Sequence, residues 1–445
     1  MTWMQKIVNQ HNLSLATDDW DINDSHVDHW VRHYKARLIK EADLKSITTL
    51  PPQERKQNIE RLVYQMIEEE KVIIPRRDME QIIEQLVNES VGYGPLEKLL
   101  RQNDITEIMV NGPREVYIER KGKLQLSDVR FKDEQHIRHI IDRIIAPLGR
   151  RIDESSPMVD ARLHDGSRVN AVIPPISLNG PILSIRKFNK VPLTLDNLLS
   201  FGSFSPQMGE FLQAAVKAKC NILVSGGTGS GKTTLLNVLS SSIPKGERIV
   251  TIEDMAELRF DYDNIVRMEA RPMNMEGTGE VTIRQLVRNA LRMRPDRIII
   301  GEVRGNEAID MLQAMNTGHE GSLTTIHANS PKDALGRLEA MVIMSGLSLT
   351  VDVIRGYFVG ALDLIVQSER LTDGKRKLVS IAEIAEENGE TKIREVFRFV
   401  RQGVAEDGSV IGYFTATGYV PKAFERMRAY GIPISETLFQ KEETA

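Results

Sequence analysis

The hydrophobic positions in the second half of the chain fall into short continuous runs, and stretches with helical spacing separate the runs. The runs lie at Ile222–Ser225, Arg248–Glu253, Ile298–Gly301 and Ser322–His327. They are rich in β-branched residues, which is typical of strands that are covered on both faces. Strands of this kind that alternate with helices predict an α/β domain with a parallel sheet over residues 201–445, ending in C-terminal helices.

Before residue 91 the apolar residues recur at helical spacing. One stripe is Ile59, Leu62, Val63, Met66 and Ile67, and a second is Met79, Ile82, Ile83, Leu86 and Val87. Ile74-Pro75 separates the two stripes, and Asp78 is the predicted N-cap of the second helix. We therefore expect a small helical module over residues 1–90. Residues 1–50 are polar and offer few core candidates, and the sequence leaves open whether they dock a partner or stay mobile.

Short strands with alternating polarity begin after Gly94-Pro95. They are expected at 106–110, 116–119, 124–126, 161–163, 168–172 and 182–186, with a helix through 137–145. Turn signals such as Asn111-Gly112 and Asp165-Gly166 separate them. This pattern predicts an α+β domain over residues 91–190, followed by a linker over residues 191–200.

Composition narrows the classes of protein to consider. With 445 residues the chain is too long for one ordinary core, so two or three domains are expected. The 58 basic and 62 acidic side chains give a net charge of −4, which argues against a globally cationic nucleic-acid binder. A single cysteine, Cys220, excludes an internal disulfide and a four-cysteine zinc site. No signal sequence or membrane-spanning run is evident, so we expect a cytoplasmic protein whose membrane contact is peripheral.

Residues 226–233 read GGTGSGKT, which matches the phosphate-binding pattern G-x-x-x-x-G-K-[ST] between an apolar strand and a helix. The expected nucleotide-binding residues are Gly226, Gly227, Thr228, Gly229, Ser230, Gly231, Lys232, Thr233 and Thr234. Glycines let the backbone curl so that its N–H groups surround phosphate oxygens at a helix N-terminus. Lys232 is expected to reach the β- and γ-phosphates of the nucleotide, and the Thr233 hydroxyl to bind Mg²⁺.

Acidic residues end two of the predicted strands, where a parallel sheet presents its ligand crevice. Glu302 follows the strand at 298–301, although Gly301 stands where the common form of this motif has aspartate. Glu302 is a candidate to orient or deprotonate the attacking water, or to hold Mg²⁺ through water. Glu253 and Asp254 are candidates for water-mediated Mg²⁺ contacts, and strand alternation predicts that only one of them points at the metal.

Histidines and arginines supply further candidates. His319 and His327 are eight residues apart, which is not a zinc signature. They are either polar residues at loop and strand ends or sensors of the γ-phosphate. Arg162, Arg168 and Arg186 are of the right type to clamp transition-state charge, but sequence spacing alone does not assign them that role. A helical stripe of Arg284, Arg288 and Arg292 is interpreted as a solvated face, a set of salt bridges or part of a subunit boundary.

Four segments occur in a specific order: GGTGSGKTT, IVTIEDMAEL, ALRMRPDRIIIGEVRG and AMNTGHEGSLTTIHANS. In this combination they resemble the ATPases that power type II secretion, type IV secretion and type IV pili. Other segments are similar to the CpaF-like branch, which is associated with Tad/Flp pili: VGYGPLEKLL, ITEIMVNGPREVYIERKG, RLHDGSRVNAVIPP, ILSIRKF, VRMEARPMNMEGTGEVTIRQLV and TGYVPKAFERMRAYGIPI. The resemblance covers residues 90–440.

The resemblance implies a RecA-like P-loop ATPase domain preceded by an α+β, PAS-like domain, assembled as a homohexamer with ATP and Mg²⁺. It implies that ATP binds between the two domains and that the ring drives an integral inner-membrane platform protein. The implied catalytic residues are Lys232, Glu253, Glu302, His319 and His327, with Arg162, Arg168 and Arg186. The implied metal-binding residues are Thr233, Glu253, Asp254 and Glu302.

Several functions stay open within this reading. Assembly or retraction of Tad/Flp-type pili is the preferred one, and a conjugation-like type IV secretion motor is the nearest alternative. A DNA-translocating RecA-type ATPase is disfavoured by the net charge of −4 and by the lack of a basic–aromatic tract. A scaffold that binds nucleotide only as a structural switch is disfavoured by Glu253, Glu302 and the histidine pair.

Overall fold

The protein divides into two compact units in a computed structural model that describes residues 26–41, 52–90, 92–120, 122–188, 192–273 and 277–441. The first unit comprises the chain up to Ala161 together with Val169–Ile185. The second comprises Arg162–Arg168 and Arg186–Ala445. Arg162, Arg168 and Arg186, predicted to belong to the α+β domain, therefore cluster with the second unit.

In the described part of the first unit, three helices come first along the chain: His26–Glu41, Pro52–Glu70 and Arg76–Ser90. The two predicted stripes lie on the second and third helices and are largely buried, which confirms both helices. Within residues 1–50 the first helix buries Val31, Tyr34 and Leu38 against the same core, and the sequence did not single out these three residues. Its signal is weak because polar residues surround these three positions. Residues 1–25 and 42–51 lie outside the described residues.

The prediction that Asp78 is an N-cap is wrong. The third helix starts at Arg76, and Asp78 lies in its first turn. The reason is local, because the Met79 N–H already donates to the Pro75 carbonyl at 2.9 Å, so the helical hydrogen bonds begin before Asp78. An acidic side chain in the first turn still stabilises the helix through its dipole.

A six-stranded sheet with the order β3-β2-β1-β6-β5-β4 follows in the first unit. Its strands are β1 Ile105–Val110, β2 Val116–Arg120, β3 Lys123–Leu126, β4 Met158–Arg162, β5 Arg168–Val172 and β6 Ile182–Arg186. Short helices precede it at Gly94–Leu96 and Glu97–Leu100. The helix Glu134–Ile145 is capped by Asp133, which accepts from the His136 N–H at 2.7 Å, and it buries five isoleucines. The α+β character predicted for this region is confirmed.

The second unit is built on a nine-stranded sheet with the order β15-β14-β13-β12-β7-β11-β10-β8-β9. Its first six strands along the chain are β7 Ile222–Gly226, β8 Ile249–Glu253, β9 Ile265–Glu269, β10 Arg297–Val303, β11 Leu323–His327 and β12 Leu364–Arg370. Every pairing among these six is parallel. The parallel sheet predicted from the apolar runs is confirmed.

Helices cover both faces of this sheet. They span Leu195–Ser200, Pro206–Lys217, Lys232–Ser240, Ile283–Ala290, Glu307–Asn316, Pro331–Met344, Val351–Ala361 and Lys422–Ala429. Strand β7 shows why two cores form, because Ile222 and Val224 pack into one and Leu223 into the other. None of the helices in the described ranges is long and apolar enough to cross a membrane.

The C-terminal part of the second unit contains strands where only helices were predicted. The strands β13 Arg376–Glu387, β14 Glu390–Val404 and β15 Val410–Ala416 extend the sheet in antiparallel fashion before the helix Lys422–Ala429. The segment predicted as a linker contains the helix Leu195–Ser200, which a capping box of Thr194 and Asn197 starts.

Candidate active site

A pocket of about 310 Å³ lies in the second unit, where β7, β8, β10 and β11 end. Its lining includes Thr228, Gly229, Gly231, Lys232, Thr233 and Thr234 from the predicted phosphate loop, together with Glu253, Asp254, Glu302, Arg168, Arg186 and His327. The carboxyl ends of the parallel strands therefore bring together most of the predicted site residues, as this topology requires.

The phosphate loop owes its shape to glycines, but for different reasons at different positions. Gly229 and Gly231 have φ angles of 70° and 94°, which side-chain-bearing residues rarely adopt. A Cβ on Gly226 would lie 2.4 Å from both the Ser230 Oγ and the Ser368 carbonyl oxygen. A Cβ on Gly227 would have no heavy atom within 4 Å. The fold itself thus requires glycine at three of the four positions.

Lys232 is the first residue of the helix Lys232–Ser240 and is 8 % exposed. Its Nζ donates to the Gly227 carbonyl at 3.1 Å and lies 3.2 Å from the His327 Nε2. Burial lowers the pKa of Lys232, while the charge of Glu302 opposes that shift. The ammonium is therefore held inside the pocket by a carbonyl and an imidazole rather than by a tight ion pair.

His327 ends β11 beside Lys232 and Glu302. Burial, and after it the positive charge of Lys232, lowers the pKa of His327. The imidazole is thus neutral at pH 7, and its Nε2 accepts from the Lys232 ammonium. The same Nε2 lies 3.5 Å from the Glu302 Oε1. His327 therefore lies between the loop lysine and the Glu302 carboxylate.

Glu302 belongs to β10, which extends past Gly301 to Val303. Its Oε2 accepts from the Arg304 Nη2 at 2.7 Å, and the Arg304 Nη1 lies 3.4 Å from the Asp254 Oδ2. Within the described part of the chain the buried Glu302 Oε1 has no hydrogen-bond partner. One guanidinium thus spans two of the predicted carboxylates, and one carboxylate oxygen stays available to a water or a substrate.

Glu253 and Asp254 have different environments. The Glu253 Oε1 accepts from the N–H groups of Glu257 and Leu258 at 2.8 and 2.9 Å, and burial raises the pKa of its carboxyl. Its buried Oε2 has no hydrogen-bond partner among the described residues. The Asp254 side chain is 43 % exposed, and burial raises its pKa while Arg304 lowers it. Glu253 is therefore held by backbone N–H groups, whereas the more exposed Asp254 side chain lies beside the Arg304 guanidinium.

The three predicted arginines have different positions. Arg186 and Arg168 line the pocket, and the Arg168 Nη2 contacts the Glu257 Oε1 at 2.5 Å. Arg162 is not part of the lining; its Nη1 donates to the Glu269 Oε2 at 2.9 Å and its Nη2 to the Ala256 carbonyl. The structure thus favours Arg168 and Arg186 over Arg162 as contacts of a nucleotide.

The structure does not bring His319 to the site. His319 precedes β11, whereas His327 ends it, so the whole strand separates them. At about 3.3 Å per residue the strand alone spans roughly 13 Å, which places His319 at the opposite edge of the sheet. There its carbonyl accepts from the Ser322 Oγ at 2.8 Å. His319 is not part of the pocket lining, so for this residue the structure favours the interpretation as a polar residue in a loop over that as a γ-phosphate sensor.

Sequence reasoning missed two features of the pocket. Arg304 was not singled out, although it follows Glu302 by two residues. The Arg259 Cζ lies 4.2 Å from the centroid of the Phe188 ring, and both residues line the pocket.

Of the arginine stripe, Arg284 and Arg288 both bind Asp310, at 2.6 and 2.7 Å. That outcome supports the salt-bridge interpretation of the stripe.

The residues present fit a magnesium nucleotide. No cluster of three or more His, Cys, Asp or Glu capable of holding a metal occurs in the described ranges. Mg²⁺ bound with a nucleotide does not need such a cluster, because phosphate oxygens and water supply most of its ligands. Thr233 lines the pocket. The Glu253 Oε2 and the Glu302 Oε1 are buried and have no hydrogen-bond partner in the described structure, so a water ligand of Mg²⁺ could donate to them. A parallel sheet with this loop and these carboxylates defines a P-loop ATPase.

The comparisons place the chain in a family. The family model described as "Type II/IV secretion system protein" matches residues 89–406, and the chain belongs to this family of secretion ATPases. A Mycobacterium tuberculosis protein provisionally named for conjugal transfer is 38% identical over 332 residues, covering 73% of this chain and 94% of that protein. The type IV secretion system protein VirB11 of Bartonella quintana is 31% identical over 344 residues, covering 68% of this chain and 96% of that protein.

A solved structure is similar as well. The crystal structure of the VirB11 ATPase from the Brucella suis type IV secretion system shares 31% identity and has a TM-score of 0.36. The match covers 65% of this chain and 92% of that one. The family match and the phosphate-loop site together make the chain an ATPase of the type II/IV secretion superfamily.

Proposed function

We propose that this chain is the CpaF-like motor of a Tad/Flp-type pilus. In this proposal it works as a homohexamer on the cytoplasmic face of the inner membrane, where it drives an integral membrane platform protein. The support is the resemblance of segments outside the catalytic motifs, such as ITEIMVNGPREVYIERKG before the phosphate loop and TGYVPKAFERMRAYGIPI near the C-terminus. No residue of these two segments lines the pocket, so we take a match in them as support for the branch of the family rather than for ATP hydrolysis alone.

The hydrolytic step is assigned to the pocket at the ends of β7, β8, β10 and β11. The single observation that carries the assignment is the juxtaposition of Lys232, His327, Glu302 and Arg304 within hydrogen-bond or near ion-pair distance of one another. Lys232 and the loop N–H groups hold the phosphates of ATP, and Thr233 is the protein ligand for Mg²⁺. Bound Mg²⁺ neutralises charge on the phosphates.

Glu302 is proposed as the residue that orients or deprotonates the attacking water. Its Oε1 is buried, its side chain is 17 % exposed, and its Oε2 is held by Arg304. A carboxylate fixed at one oxygen and open at the other is suited to accept a proton from a water in a defined position. Glu253 and Asp254 are proposed to hold water ligands of Mg²⁺, and Arg168 and Arg186 to neutralise charge that develops on the transferred phosphoryl group.

Phosphate release by the purified full-length chain tests the ATPase assignment. Lys232→Ala should abolish steady-state turnover, since it removes the phosphate-binding ammonium. Arg394→Ala serves as a matched control, because Arg394 pairs with Glu387 on the neighbouring strand, and it should retain turnover. Normal turnover by Lys232→Ala would overturn the assignment.

A conjugation-like type IV secretion motor is the second candidate. It is favoured by the relatives whose names refer to conjugal transfer and to type IV secretion. A deletion strain of the source organism, complemented with the parent chain or with Lys232→Ala, separates the two. If the strain with Lys232→Ala loses surface pili but transfers macromolecules normally, the result supports the pilus motor. If it loses macromolecule transfer but keeps normal pili, the result supports the type IV secretion motor. DNA-stimulated ATP hydrolysis that falls steeply with salt would instead support a DNA-translocating ATPase.

A further inference from the structure

The end of β12 and the start of β13 border the phosphate loop. The buried Ser368 Oγ donates to the Ser230 carbonyl at 2.7 Å. The Arg376 Nε donates to the Gly229 carbonyl at 2.9 Å. Two successive carbonyls of the loop are therefore bound by side chains that come from about 140 residues further along the chain. Neither side chain is part of the pocket lining.

These bonds determine where the loop N–H groups point. Across a planar trans peptide, the carbonyl of one residue and the N–H of the next point in opposite directions. When Ser368 binds the Ser230 carbonyl, the Gly231 N–H must point away from β12. When Arg376 binds the Gly229 carbonyl, the Ser230 N–H also points away, and it donates to the Gly227 carbonyl at 3.3 Å. The outer bonds thus leave the Gly231 N–H pointing away from β12 and available to phosphate, while the Ser230 N–H is bonded within the loop.

The packing leaves little room for another arrangement. Gly226 pairs in register with Ser368. A Cβ on Gly231 would lie 3.3 Å from the Arg376 Cδ, and one on Gly229 would lie 3.7 Å from the Arg370 Nη1. The loop is therefore in contact with the end of β12 and the start of β13 at Gly226, Gly229, Ser230 and Gly231.

We propose that Ser368 and Arg376 are positioning residues for the phosphate loop, which preorganise its N–H groups for phosphate and connect nucleotide binding to the antiparallel strands β13–β15. The proposal depends on nucleotide binding at the loop and not on the identity of the pilus or secretion system. A preorganised loop does not have to be ordered when nucleotide binds, so its affinity is higher.

Equilibrium binding of a fluorescent ADP analogue to the full-length chain tests the proposal. Ser368→Ala leaves the buried Ser230 carbonyl without its donor, and we expect about tenfold weaker binding. Ser368→Thr restores the hydroxyl and should recover most of the affinity. Ser380→Ala is the matched control, because Ser380 is equally buried on β13 but donates to Glu395 at 2.7 Å and not to a carbonyl of the loop. Its affinity should stay within twofold of the parent chain.

Substitution of Arg376 provides a second, independent test of the proposal, because it does not change a buried residue. Arg376 is exposed, so Arg376→Ala should fold normally and weaken ADP binding about threefold, with Arg376→Lys intermediate. Arg394→Ala is its control. In steady-state ATP hydrolysis, Ser368→Ala and Arg376→Ala should each raise KM for ATP more than they lower kcat. Amide hydrogen exchange over residues 226–235 should be faster in Ser368→Ala and Arg376→Ala than in their controls, without added nucleotide.

The outcomes separate the positioning role from the nucleotide site itself. If Ser368→Ala and Arg376→Ala bind ADP within twofold of the parent chain while Lys232→Ala does not bind, the positioning proposal is overturned and the site stands. If Lys232→Ala also binds normally, the nucleotide site is wrong. Equal effects of Ser368→Ala and Ser380→Ala would show general destabilisation and would also overturn the proposal.

Discussion

Two adjacent glycines of the phosphate loop should respond in opposite ways to the same substitution. In Gly226→Ala the new Cβ would lie 2.4 Å from the Ser368 carbonyl oxygen and 2.4 Å from the Ser230 Oγ. The serine hydroxyl can rotate away, but the carbonyl belongs to the parallel pairing of β7 with β12. Relief of the overlap therefore requires a backbone shift of roughly 0.8 Å in the centre of the sheet.

The size of the effect follows from that shift. Overpacking of a well-packed core costs about 3 kcal/mol at the upper end of its usual range, and a backbone obstacle belongs there. For a unit of this size, Tm should fall by roughly 6–12 °C. In Gly227→Ala nothing lies within 4 Å of the new Cβ and φ is not positive, so the change in stability should be within about 0.5 kcal/mol.

Thermal unfolding of both variants without nucleotide, followed by ADP titration, is the assay. Gly226→Ala should unfold at a lower temperature than the parent chain. Gly227→Ala should unfold like the parent chain and keep an ADP affinity close to that of the parent, since position 227 is variable in the loop pattern and Gly227 does not line the pocket. Equal Tm values for the two variants would refute the packing argument, and loss of ADP binding in Gly227→Ala would show that nucleotide binding requires this glycine.

Two further predictions concern the polar groups of the pocket. Arg304→Ala should lower kcat about three- to tenfold with little change in KM, because Glu302 loses the charge-assisted hydrogen bond at 2.7 Å that orients it. An unchanged or raised kcat in a phosphate-release assay would contradict that role of Arg304. His327 has its pKa lowered by burial and by Lys232, so the unfolded chain binds its proton more readily once the pH falls below about 6.5. Stability should therefore decline from pH 7.5 to 5.5, and His327→Gln should reduce that decline; an identical slope of Tm against pH in both proteins would show that His327 does not contribute.

The features that could be predicted from sequence are those that depend on neighbours along the chain. The strand Ile222–Gly226 was predictable because a strand covered on both faces is apolar at successive positions. The phosphate loop was predictable because its glycines and Lys232 act within a few residues of one another. Glu302 was predictable because the end of a parallel strand is at the ligand edge of the sheet.

The remaining features depend on contacts between distant segments. Arg162 was a reasonable candidate for the pocket until its pairing with Glu269, 107 residues away, was seen. His319 and His327 are close in sequence, but a strand carries them to opposite edges of the sheet. The contacts of Ser368 and Arg376 with the loop have no local pattern at all, since they arise from the pairing of β12 with β7. Sequence spacing cannot report such pairings.

The most direct test of the central claim, that Glu302 drives hydrolysis of ATP held by the phosphate loop, is single-turnover phosphate release by Glu302→Gln. Glutamine keeps an oxygen that can accept from Arg304, so ATP affinity and Tm should stay close to those of the parent chain. Loss of the carboxylate should slow phosphate release by about 10²- to 10⁴-fold. Release at the parent rate, with ATP bound normally, would contradict the account.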